Sequence, residues 1–252
     1  MEKIIRPVVK WLGTTKLLSI PRSYVGKKLA YYYSSQGKMI YVFRSSSSRG
    51  DVKIIDLIKQ IKGETEMLLA DQEAYLIYIT VKKTEKIEGD VAEVGVYKGG
   101  SAKLIREATK KSLHLFDTFE GLPDKCAKDN PKHFQKGDYY ASLESVKSYL
   151  KNYSNILFYK GLFPSTTELV KNTRFSFVHL DVDIYESTLN CLKFFYPRMS
   201  RGGVIISHDY PASKGVKQAF DEFFKDKLEI IIEPFGTGQG LIVKLDESHV
   251  SY

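Results

Sequence analysis

Val91-Ala92-Glu93-Val94-Gly95-Val96-Tyr97-Lys98-Gly99-Gly100-Ser101-Ala102 is the stretch on which the fold turns. A short apolar run carrying one acid is followed by three glycines and a serine, and an apolar periodicity resumes at Leu104 and Ile105. The pattern predicts a buried strand that turns tightly into a helix starting near Gly100 or Ser101. Glycine lets such a turn take unusual dihedrals and lets a ligand approach the backbone with no Cβ in the way. The free N–H groups and positive dipole end of the helix then face the turn. Alone, the turn serves equally well as a bare strand-to-helix connection. The next apolar segment, His114-Leu115-Phe116-Asp117, ends in a carboxylate 22 residues after Gly95. That is close to the roughly 20 residues at which the second strand of a nucleotide-binding unit offers an acid to ribose hydroxyls.

Outward from this unit, strands are expected at 155–159, 175–180, 204–207, 229–232 and 240–244, seven in all with the first two. Helices are expected at 51–62, 64–86, 143–150, 187–196 and 215–224, with Met67, Leu68, Ala74, Tyr75 and Ile79 as the buried face of the second. Strands alternating with helices, then a terminal strand pair, indicate a doubly wound, mostly parallel α/β sheet with an antiparallel end. Residues 118–140, containing Gly121, Pro123, Pro131 and Gly137, read as a long irregular loop. Loops of that length in compact domains are more often functional than idle.

Hydrophobic and charged contents of 43% and 27% are those of a soluble globular chain, and 252 residues allow one α/β domain with additions. No apolar run approaches the roughly 18 residues of a spanning helix. Cys126 and Cys191 form neither a metal-ligand spacing nor a disulfide framework, which points to a reducing, cytoplasmic setting. Residues 1–44 hold nine Lys/Arg against Glu2 alone, so the whole net charge of +8 resides there and the body is neutral. The chain thus divides into a basic, aromatic arm and linker at 1–50 and a globular domain at 51–252. A solvated or subunit-wrapping arm is favoured over an anion-binding one, and nucleic acid is not an expected partner.

In a doubly wound sheet, ligands bind beyond the carboxyl ends of the strands. Glu93, Asp117, Gly161, Asp181, Asp183, His208 and Asp209 all stand there. Two carboxylates about 4 Å apart repel by roughly 4 kcal/mol at an effective dielectric near 20. A cluster of Asp181, Asp183 and Asp209 therefore needs a proton, a nearby base or a cation, and an oxygen-rich site with one imidazole suits Mg²⁺ or Mn²⁺. Asp183 reads either as a base or as the cap of the helix that follows. His208 reads either as a ligand or as a histidine donating to a carbonyl.

Four stretches resemble the macrocin O-methyltransferase (TylF/MycF-type) family: residues 87–101, 116–123, 180–188 and 208–210. The resemblance begins at about residue 64 and implies a Rossmann-like, class I S-adenosylmethionine-dependent methyltransferase acting on a hydroxyl of a sugar or other polyhydroxylated small molecule, such as a glycan or glycosylated metabolite. By resemblance, Glu93, Gly95, Tyr97, Gly99 and Ser101 form the first cofactor loop. Asp117 is the ribose acid, Thr118 and Phe119 continue its wall, and Gly161 and Phe163 border the adenine. Asp181 matches a metal ligand beside the cofactor, and Asp183 a general base. Many members carry two adjacent aspartates where this chain has His208-Asp209, so the metal set becomes Asp181, Asp209 and His208, with Mg²⁺ or a similar ion. A binding protein without methyl transfer and an NAD-type dehydrogenase are the alternatives. Homo-oligomer contact is expected through the N-terminal segments.

Overall fold

The computed structural model describes residues 49–245. The basic arm and most of the linker expected at 1–50 lie outside them. Six strands form one sheet: β1 (Asp90–Val94), β2 (Leu113–Asp117), β3 (Ile156–Lys160), β4 (Phe175–Leu180), β5 (Met199–Ser207) and β6 (Gly240–Val243). Their order is β3-β2-β1-β4-β5-β6. All neighbours are parallel except β6, which runs antiparallel to β5. The helices are α1 (Arg49–Glu64), α2 (Asp71–Thr84), α3 (Gly100–Ala108), α4 (Leu143–Tyr149), α5 (Tyr185–Phe195) and α6 (Lys214–Phe224).

Helices cover both faces of the sheet. Val204 and Ile206 of β5 turn towards Ile58, Ile77 and Leu104 of α1, α2 and α3. Ile205 between them turns to Leu192 and Phe220 of α5 and α6, which is the two-residue alternation of a strand. With a layer on each side, β4 is buried along its whole length, which explains its nearly unbroken apolar sequence.

Two expectations are corrected. Residues 229–232 do not form a seventh strand; among the described residues they contribute only the isolated bridge of Ile232 to Leu241. Ile231 packs against the core, but Ile230 and Ile232 are 77% and 48% exposed, so one face of the run is uncovered. The helix expected over 64–86 begins at Asp71, because the Glu73 carboxylate reaches back to accept the Ala70 N–H (2.7 Å) and starts it there. Residues 65–70 are irregular instead. Met67 and Ala74 are buried, but Leu68 is 55% exposed, and Ile77 and Val81 replace Ile79 as the inner face. No described helix is long and apolar enough to cross a membrane.

Candidate active site

The sheet order reverses at β1, whose neighbours β2 and β4 lead to opposite sides, and a cavity of about 220 Å³ opens beyond the carboxyl ends there. The glycine turn forms its floor. Gly95 has φ +87°, and a Cβ on it would lie 1.8 Å from the Asp181 carbonyl oxygen. Close passage of the β1 and β4 chain ends thus demands this glycine before any ligand does. The Asp181 N–H fastens the passage by donating to the Val94 carbonyl, and the Gly95 N–H ties the same turn to β2 through the Phe116 carbonyl, both at 2.9 Å. Gly100 opens α3 where a side chain would strike Met67.

Asp117 organises the turn. Its Oδ2 accepts the N–H groups of Val96 (2.6 Å) and Tyr97 (3.1 Å), and its Oδ1 accepts that of Phe119 (2.7 Å). The single Thr118 hydroxyl proton goes to the Gly121 carbonyl at 2.7 Å, so Oδ1 keeps one acceptor position for a ligand hydroxyl. Of the residues expected at the cofactor site, Gly95, Tyr97, Ser101, Asp117, Thr118, Gly161, Phe163 and Asp181 line the cavity. Glu93, Gly99 and Phe119 do not. Phe119 packs into the core beneath. Glu93 is fully buried, with Oε1 2.9 Å from His179 Nδ1 on the neighbouring strand, and its Oε2 has no partner. Burial raises the Glu93 carboxyl, and the His179 contact only partly opposes this.

The acidic rim comes together as expected. Asp181, His208 and Asp209 each present one donor atom, all within 4.8 Å of one another. His208 Nδ1 lies 3.1 Å from Asp181 Oδ1 and 2.9 Å from Asp209 Oδ2, and Nε2 lies 3.4 Å from Glu73 Oε2. Burial disfavours a charged His208 ring, yet the charge of Asp181 and hydrogen bonds to Asp181, Asp209 and Glu73 raise its pKa far above the ordinary value. Burial likewise works to raise Asp181, but the His208 imidazolium and His179 bring it below the usual carboxylate value. Asp183 goes the other way. Burial, the charges of Asp181 and Asp209 and a hydrogen bond with Asp209 hold its carboxyl well above the usual range.

Asp183 and Asp209 both adopt the left-handed region, with φ of 60° and 56°, which costs a non-glycine residue about 1–2 kcal/mol. The alternative that Asp183 caps the following helix is not what forms. The first N–H of α5, on Tyr185, donates instead to Asp129 Oδ1 (2.8 Å), a residue of the 118–140 loop. Asp183 is thereby released from capping.

The same loop closes the outer side of the cavity with Leu122, Pro123, Phe134 and Tyr139. Tyr139 meets Tyr97 edge to face at 5.8 Å and lies 6.2 Å from the Phe134 ring. Tyr139 lines the same cavity as Asp183 and Asp209, whose charges, with burial, raise its phenol. Glu73, Asp129, His179 and Ser213 hydrogen-bond to residues of the site or its flanks, and sequence reading did not single them out. Of these, only the lone His179 inside an apolar strand gave a signal, since a buried imidazole requires a partner.

The profile described as Macrocin-O-methyltransferase (TylF) matches residues 76–236. A tetracenomycin-type rhamnosyl 4'-O-methyltransferase of Streptomyces olivaceus is 31% identical over 140 residues, covering 49% of this chain and 54% of the relative. Demethyldecarbamoylnovobiocin O-methyltransferase of Streptomyces niveus is 29% identical over 153 residues, covering 54% and 58%. The chain thus spans somewhat more than half the length of the curated relatives it matches. Among solved structures, the O-methyltransferase NovP superposes with a TM-score of 0.66 at 20% identity, over 77% of this chain and 99% of that one, which shows the common fold. With the family profile matched across the glycine turn, the acidic rim and the sheet between them, this chain belongs to the macrocin-O-methyltransferase (TylF) family.

Proposed function

We propose that this protein is an S-adenosylmethionine-dependent O-methyltransferase whose acceptor is a hydroxyl of a sugar or glycosylated small molecule. The observation that carries the reading is the position of Asp183 at one cavity. A buried carboxylate of raised basicity stands in the same cleft as a nucleoside-type turn built on Gly95, Ser101 and Asp117. When bound, S-adenosylmethionine supplies an electrophilic methyl group. Asp117 retains an acceptor position suited to a ribose hydroxyl, and Phe163 and Leu162 offer apolar surface at the other end of the cleft. The curated relatives named above, one of them a rhamnosyl 4'-O-methyltransferase, support a sugar acceptor. So does the wall of Tyr97, Phe134 and Tyr139, whose flat faces suit the C–H side of a sugar ring.

The residues divide the work by position. The aromatic wall holds the acceptor and excludes water. Asp183 accepts the proton of the hydroxyl at a carboxylate oxygen, and a base with a raised pKa works closer to neutral pH. Alignment of the two reacting groups supplies the greater part of the remaining rate. Asp181, Asp209 and His208 form a donor set that fits a divalent cation, two carboxylate oxygens and one imidazole nitrogen gathered within 4.8 Å. Such an ion, when bound, adds positive charge that lowers the pKa of a nearby alcohol. To serve as a ligand, the His208 nitrogen must first give up the proton it shares with Asp181 and Asp209.

The direct test is methyl transfer from labelled S-adenosylmethionine to a panel of dTDP-deoxyhexoses and p-nitrophenyl glycosides. A base-stable methyl ether is expected on at least one. Protein treated with EDTA is expected to lose turnover, to regain it with Mg²⁺ or Mn²⁺, and to bind S-adenosylhomocysteine as before. Turnover indifferent to EDTA would instead make the His208 imidazolium the countercharge for the two aspartates.

A further inference from the structure

The backbone at Asp183 and at the start of α5 just after it is held by two side chains from other parts of the chain. On one side, the Asp183 carbonyl accepts the Ser213 hydroxyl at 2.9 Å. On the other, the Tyr185 N–H just beyond it donates to Asp129 Oδ1 at 2.8 Å, while the Ile184 N–H closes back on the Val182 carbonyl at 2.6 Å. Ser213 stands at the N-cap of α6, yet its side chain makes no cap bond there. Its backbone N–H donates instead to the Asp209 carbonyl at 2.8 Å. One serine thus ties together the two left-handed aspartates, Asp183 through its hydroxyl and Asp209 through its amide.

Asp129 is buried, and its second oxygen, Oδ2, accepts the Cys126 N–H at 3.0 Å, so the carboxylate also folds its own loop. Gly215 leaves the room for it, since a Cβ there would lie 2.0 Å from Asp129 Oδ1. Next to it, Lys128 donates to the Tyr185 hydroxyl at 2.6 Å and pairs with Glu222 at 3.1 Å. The loop that carries Asp129 is the one that walls the outer cavity through Phe134 and Tyr139.

We propose that Asp129 and Ser213 are positioning residues that clamp the Asp183 backbone, so that ordering of the 118–140 loop over an acceptor and aiming of Asp183 are a single event. The proposal deepens the methyltransferase reading and rests on it for the role of Asp183. Neither residue touches the reacting atoms. Each acts by denying Asp183 the extended conformations a non-glycine residue prefers.

The test compares Asp129→Ala, Asp129→Asn, Ser213→Ala and Ser213→Thr with the wild type by hydrogen exchange and by kinetics on the best acceptor of the glycoside panel. Asp129→Ala is expected to speed amide exchange in peptides covering both 124–140 and 182–188, leaving β1 and α3 protected. Turnover should fall about 10–100-fold, with the KM for S-adenosylmethionine little changed. Ser213→Thr, which keeps the hydroxyl, should recover most of the loss, and Asp129→Asn, which keeps an acceptor oxygen for Tyr185 but turns its NH₂ towards the Cys126 N–H, should recover part of it. Faster exchange in 124–140 alone, with 182–188 unchanged, overturns the clamp, and so does equal loss in the Ala and conservative variants. Should Asp129→Ala fail to fold, the two serine variants decide by the same criteria. If the wild type methylates nothing in the panel, the activity reading fails, while the exchange comparison still decides whether the loop and Asp183 are coupled.

Discussion

Asp183→Asn is expected to lower methyl transfer by about 10²–10⁴-fold, the usual contribution of a positioned general base, and to leave S-adenosylhomocysteine binding unchanged. The substitution is unusually clean. Asparagine tolerates the left-handed φ of 60° at this position. The backbone bonds at the Asp183 carbonyl and the Tyr185 N–H do not involve the carboxyl and survive, and the asparagine amide N–H can donate to Asp209 in place of the shared carboxyl proton. What disappears is the basic oxygen that burial and the charges of Asp181 and Asp209 make a stronger proton acceptor. Rates are read with labelled S-adenosylmethionine and affinity by calorimetry. An unchanged rate would remove Asp183 from the chemistry.

Asp117→Ala should be felt in the fold as well as in binding. The change strips the partner from three backbone N–H groups, those of Val96, Tyr97 and Phe119. A buried donor left without an acceptor costs about 1–3 kcal/mol, and water reaching this half-buried site recovers part, leaving a loss of about 2–4 kcal/mol. At about 2–4 °C per kcal/mol for a domain of this size, the thermal midpoint falls by roughly 5–15 °C. Affinity for S-adenosylhomocysteine should collapse too, because the glycine turn loses the group that shapes it. A midpoint that stays put while affinity falls would make Asp117 a ligand contact only.

The doubly wound sheet was legible because its signals are local. The run into Gly95, the alternation in β5 and the acid ending β2 each lie within a dozen residues. The reason for Gly95 was only partly legible, however. Sequence reading assigned the glycines to unusual dihedrals and to ligand approach; Gly95 does take a φ of +87°, but what excludes a Cβ there is the Asp181 carbonyl on another strand. The apolar stretch at 229–232 misled because composition says that a strand could form, not that a partner layer covers it; Ile230 remains largely exposed.

The site was legible in its acids and not in what holds them. Asp129 acts on Tyr185 across 56 residues and Glu73 on Gly238 across 165, distances at which spacing carries no information. Glu73 joins the start of α2, the 236–239 segment and His208 through one carboxylate, and hydrogen bonds from His208, Gly238 and Ala70 outweigh its burial to hold its pKa low. Glu93 and His179 could have been paired from the sequence. Each is an ionisable residue in the buried interior of its strand, and the parallel register sets them side by side.

The most direct check on the central claim is equilibrium dialysis of folded protein against methyl-labelled S-adenosylmethionine. Stoichiometric retention is predicted for the wild type and for Asp183→Asn, with little or none for Asp117→Ala. Folded wild-type protein that retains no label would contradict the account at its root.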